Sequence, residues 1–227
     1  TNMVTRMRLD YDIPFDSIGD ETRPVCLWDT HRGVGTFVNS QLENLFSNYW
    51  RDLQQSQPNW IEMLVEKNTV ASSLRNIAAK YTIPMTSGRG YSSLPPRREM
   101  VDRFKASGRE RLVVIVVSDF APEGCDIPNS FGLSLRDDFL IASKKLTIIK
   151  AALTYPQTQE RDLHQGQLAK DGSSRYARFV ESYGERCWEL EAIPSDTLRE
   201  IVEDTIRRVI DVEAFERELE KQAEEQA

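Results

Sequence analysis

The stretch that most restricts the fold is Arg111-Leu-Val-Val-Ile-Val-Val117, which is apolar at every position after the arginine. A strand with one face in water alternates apolar and polar residues, whereas an uninterrupted run fits a strand covered on both faces at the centre of a parallel sheet. From Trp60 to Thr154 other short apolar runs alternate with helical stretches, which predicts strands over 61–65, 82–86, 111–117 and 146–153. Helices are expected over 69–81, 97–105 and 126–143, the last with Pro128 in its first turn. The pattern is that of an α/β protein, Rossmann-like, with a central parallel four-stranded sheet over residues 59–155.

Residues 1–58 read as an N-terminal helical segment and linker. There Leu42, Leu45, Phe46, Tyr49 and Leu53 recur every three or four positions, predicting an amphipathic helix over 40–53 with Ser40 as N-cap and Tyr49 in its core. Residues 156–227 read as a C-terminal helical extension, polar to about Ser174 and helical from about Ser195, with Leu198, Ile201, Val202, Ile206 and Val209 on one stripe. Its end, Glu213 to Ala227, sets six glutamates against Arg217 and Lys221 and is expected to be solvated and frayed.

The longest apolar run, Leu112 to Val117, has six residues, far short of the ~20 needed to span a membrane. The three cysteines, Cys26, Cys125 and Cys187, are odd in number and widely spaced, as expected for reduced thiols in a cytoplasmic protein. Two histidines, His31 and His164, lie in polar stretches and read as surface residues, so a zinc site is not expected. A net charge of −7 argues against a global basic field that coats nucleic acid, but not against a carboxylate cluster in which a metal supplies positive charge.

In a parallel sheet, ligands gather at the carboxyl ends of the strands. The first strand ends in Glu66-Lys67, the second in Ser87-Gly88-Arg89-Gly90-Tyr91-Ser92, and the third in Ser118-Asp119-Phe120-Ala121-Pro122-Glu123-Gly124. A Gly-Arg-Gly turn suits close approach to a phosphate, and paired acids suit magnesium. Taken singly, Asp119 or Glu123 reads as a helix N-cap; together on one rim the three ends read as a site. Cys125 adjoins the acidic motif but has no neighbouring base to make it a nucleophile.

These three motifs, in order and on the matching elements, resemble the Toprim domain, in the form found in the A subunit of type IIB topoisomerases (topoisomerase VI) and related nucleases. Lys170, Ser174-Arg175 and Trp188-Glu-Leu-Glu-Ala-Ile-Pro194 resemble the segment after Toprim in the same proteins. The resemblance implies a nuclease-like hydrolase that cleaves DNA phosphodiester bonds with Mg2+ or Mn2+. Glu66 and Asp119 would be catalytic, and Glu66, Asp119 and Glu123 metal ligands. The residues themselves offer Lys67, Arg89, Arg97 and Arg98 as contacts to substrate phosphate, with a solvated surface as the other reading of Lys67, Arg97 and Arg98. DNA is the expected partner, along with a second copy or the other subunits of a complex, and no membrane. Ala121 departs from the family, which carries its second aspartate there; Glu123 or Asp126 would have to compensate, or catalysis is weak or lost. No tyrosine nucleophile is visible, so water-driven hydrolysis is the primary expectation. The alternatives are a topoisomerase VI-like cleavage subunit and a non-catalytic DNA-binding module.

Overall fold

The computed structural model describes Met3, Arg6, Met7, Asp10, Asp12, 30–43, 49–88, 93–160, Leu163 and 166–226. The chain forms two compact units, Thr1–Tyr49 and Trp50–Ala227. In the first, α1 (Val34–Glu43) begins where the Thr36 hydroxyl donates to the Gly33 carbonyl at 2.7 Å. The helix expected over 40–53 is therefore displaced: Ser40 lies inside α1 rather than at its start, and Tyr49 and Leu53 are not helical. His31 is half-buried, its ring 5.1 Å from that of Phe37. Cys26, His164 and residues 13–29 of the N-terminal segment lie outside the described residues.

The second unit is α/β, built on a parallel sheet of β1 (Asn59–Val65), β2 (Met85–Ser87), β3 (Arg111–Val117) and β4 (Leu146–Ala152) in the order β2-β1-β3-β4. Alternate residues of β1 and β3 face opposite cores. Ile61, Met63, Val65, Val113, Ile115 and Val117 pack with α2 (Asn68–Lys80) and, farther along the chain, α7 (Ser195–Val209). Leu64, Leu112, Val114 and Val116 pack with α3 (Leu94–Ser107) and α4 (Pro122–Asp137). Both faces of β3 are thus covered, which is why its sequence can be apolar throughout.

α4 starts four residues earlier than the sequence suggests. Pro122 occupies its first turn, where a missing N–H costs nothing, and Pro128 sits in the helix interior instead. Beyond the sheet come α5 (Tyr155–Glu160), β5 (Gln167–Leu168), α6 (Tyr176–Tyr183) and β6 (Arg186–Cys187), with β5 and β6 paired antiparallel. The acidic end is corrected more substantially: it forms α8 (Val212–Gln226), docked through buried Ala214, Phe215 and Glu218. Phe215 stacks at 4.9 Å on Tyr81, and Glu218 accepts hydrogen bonds from Arg51, Gln55 and Ser56. Among the described residues no helix is long and apolar enough to cross a membrane.

Among the described residues one charged side chain is wholly buried. Glu62, on β1, is 0% exposed and accepts from the Arg103 guanidinium of α3 at 2.7 and 2.9 Å and from the Trp60 indole at 2.9 Å. Burial pushes its carboxyl above the usual range, against the opposing pull of Arg103. Removing one partner strands the other in low dielectric, so Arg103→Ala is expected to cost about 3 kcal/mol in urea unfolding at pH 7.5. The exposed Arg98–Asp102 pair serves as control, with Arg98→Ala costing less than about 1 kcal/mol. Because a raised acid binds more protons folded than unfolded, stability falls as pH rises through its titration, and the Arg103→Ala deficit should shrink at pH 5.

Candidate functional site

The seven-residue register of β1 on β3, from Asn59 opposite Arg111 to Val65 opposite Val117, sets Glu66 beside Ser118 and Asp119. The ladder continues one step further as the Glu66 amide donates to the Val117 carbonyl at 2.9 Å. Glu66 then turns its carboxylate across the strand ends, where Oε2 accepts from the Asp119 amide at 2.9 Å. The two acids named from the sequence are thus brought together.

The loop from Asp119 to Gly124 is tight. The Ser118 hydroxyl donates to the Gly124 carbonyl at 2.7 Å, and a Cβ on Gly124 would lie 2.3 Å from the Asp119 carbonyl oxygen. No larger residue fits that crossing. Lys150, a lone charge within β4, donates to the carbonyls of Asp119 at 2.8 Å and Gly124 at 2.9 Å, with the Cys125 sulfur 3.7 Å away. Burial lowers the Lys150 ammonium pKa and raises the Cys125 thiol.

The third wall comes from the chain after β6. Phe120 and Trp188 exchange two backbone hydrogen bonds of 2.9 Å, which carries residues 189–191 onto the site. The Leu190 amide donates to Asp119 Oδ1 at 2.8 Å. Lys67 Nζ stands 3.0 Å from Asp119 Oδ2, 2.9 Å from Glu191 and 3.5 Å from Glu189. Burial raises the carboxyls of both Glu66 and Asp119, opposed at Asp119 by the Leu190 amide and Lys67; burial acts to lower the Lys67 ammonium, but hydrogen bonds to Glu191 and Asp119 override it and drive the group upward.

The side chains present do not assemble the expected magnesium site. Among the described residues no three His, Cys, Asp or Glu side chains are arranged to hold a metal ion. Both oxygens of Asp119 are engaged, one of them by a lysine where a divalent ion would need a free carboxylate. Glu123 is exposed and lines a cavity of about 190 Å³ with Asp119, Ala121, Lys170 and Glu189 rather than closing on Glu66. Ala121 holds the N-cap position of α4 and offers neither a ligand nor a side-chain cap.

The phosphate candidates are scattered. Lys67 is committed to carboxylates; Arg97 lies 5.3 Å over the Phe131 ring; Arg98 pairs with Asp102 at 2.9 Å on the surface. Arg89, with residues 90–92, lies outside the described residues. Lys150 was missed although its sequence signal is plain, the single charge in the mostly apolar strand Leu146–Ala152. Glu189 and Glu191 lay within a segment noted for its resemblance, but their approach to Lys67 spans over a hundred residues and has no local signature.

Replacing Lys67 by Met removes the cation that these carboxylates share. Asp119 then rises further, the folded state holds more protons than the unfolded one, and stability declines as pH increases. The variant should lose about 1–3 kcal/mol at pH 7.5 and much less at pH 5 in urea unfolding. An equal loss at both pH values would show that Lys67 acts through packing alone.

Comparison with protein-family models, with curated proteins and with solved structures finds no match to this chain.

Proposed function

We propose that the chain is a Toprim-type, nuclease-like domain that binds DNA and whose phosphodiester-cleaving centre is one carboxylate short at Ala121. The observation that carries this reading is the Glu66–Asp119 pairing at adjacent parallel strand ends, with the Glu66 carboxylate on the Asp119 amide at 2.9 Å. The hairpin-tight Asp119–Gly124 loop supports it, since only glycine tolerates the crossing at position 124. Position 121 faces the same cavity as Asp119 and Glu123, the place a third carboxylate would need. In the chain as it stands Lys67 neutralises Asp119, so the site binds and orients without cleaving. The free thiols of Cys125 and Cys187 fit a reducing, cytoplasmic setting.

Restoring the missing acid tests the reading. Ala121→Asp should confer Mg2+-dependent cleavage of plasmid DNA that the unsubstituted chain lacks, and adding Glu66→Gln should abolish it. Cleavage by the unsubstituted chain that survives Glu66→Gln would contradict the proposal, as would no gain in Ala121→Asp.

A further inference from the structure

A second cavity, of about 320 Å³, lies between α4 and α6 and shares Pro122 with the cavity at Ala121. Its walls differ in character from the acidic rim. Arg175 and Arg178 stand on one side, Asn129 faces them from α4, and Tyr183 forms an aromatic end. Arg175 is oriented by Asp126, whose carboxylate accepts from its Nε at 2.6 Å, while Arg178 is exposed.

Tyr183 belongs to an aromatic stack with a dry side and a wet side. Phe120 and Phe179 are 2% and 4% exposed, whereas Tyr155 and Tyr183 are 40% and 42% exposed. Tyr183 lies 5.2 Å from Phe120, 5.3 Å from Tyr155 and 5.5 Å from Phe179, centroid to centroid. Two large rings are therefore packed on buried ones and left open to solvent, and one of them, Tyr183, lines the cavity with the two guanidinium groups. Aromatic faces receive unstacked bases without regard to sequence, and arginines beside them receive the backbone phosphates. In an intact duplex the base faces are stacked on one another and cannot reach such rings.

Resting on the functional reading above, we propose that the groove between α4 and α6, with the Tyr155–Tyr183 face, binds single-stranded DNA and leads it to the Glu66–Asp119 edge. Tyr183 stacks a base, Arg175 and Arg178 hold flanking phosphates, and Pro122 marks where the strand passes to the acidic rim. A chain of net charge −7 thereby meets a polyanion through Arg175, which Asp126 orients, and the exposed Arg178, set apart from Glu66 and Asp119 by the first turn of α4.

The test is fluorescence anisotropy on the full chain with a labelled oligothymidylate and a mixed-sequence duplex of equal length. Tyr183→Ala should weaken oligothymidylate binding at least about fivefold, with Tyr183→Phe within twofold and duplex binding little changed. Arg178→Ala should weaken it as well and lower the magnitude of the salt slope by about 0.7. Oligothymidylate binding that neither substitution alters would overturn the groove alone and leave the DNA-binding reading standing. No binding to either DNA would overturn both. Sedimentation showing a dimer that Tyr183→Ala dissociates would assign the aromatic face to a second copy and overturn the strand path.

Discussion

The parallel pairing of β1 with β3 is the constraint on which the site rests. Seven residues of each strand pair without a shift, so the first residue past β1 and the first two past β3 emerge side by side. A slip of one residue would move every buried side chain of β1 to the opposite face, exposing Ile61 and Met63 to the wrong core. The packing of two separate hydrophobic clusters against alternate faces therefore fixes the register. The register in turn fixes the distance between Glu66 and Asp119. The geometry of the site and the packing of the core are one problem here.

Around that pair the chain has arranged ammonium groups and amides. Lys150 beneath the loop satisfies two carbonyls, and Lys67 above it sits among three carboxylates. Each buried acid is disfavoured in its charged form by loss of water, and each is held by a hydrogen bond from a backbone amide. Ala121 completes the picture, because the one position that would add both a helix cap and a further carboxylate carries a methyl group.

Much of the sheet was legible because buried parallel strands declare themselves. Residues 111–117 agree with β3 at both ends, and β1 and β4 differ from expectation by a residue or two. Shorter β2 was placed too early: Thr82 and Ile83 look like strand residues, but Thr82 has a φ of 50° and its carbonyl accepts from the Gln54 side chain at 3.1 Å. Leu53 illustrates a different limit. Its spacing from Leu42 and Tyr49 suggested one helix, yet it is 2% exposed because its turn packs into the sheet's core, a contact no local pattern encodes. The acidic tail misled through charge count, since three buried positions, Ala214, Phe215 and Glu218, decide how α8 docks. At the site, the acids after the strands were readable from the topology. The occupation of Asp119 by the Leu190 amide was not, because it depends on a segment brought in from far along the chain.

On the proposed reading this centre lacks a divalent-ion site for want of one carboxylate. Manganese titration followed by electron paramagnetic resonance tests that reading without recourse to DNA or turnover. Ala121→Asp should withdraw Mn2+ from the free-ion signal in a saturable way, whereas the unsubstituted chain should leave the signal at its buffer level. Saturable Mn2+ binding by the unsubstituted chain, abolished by Asp119→Asn, would contradict it.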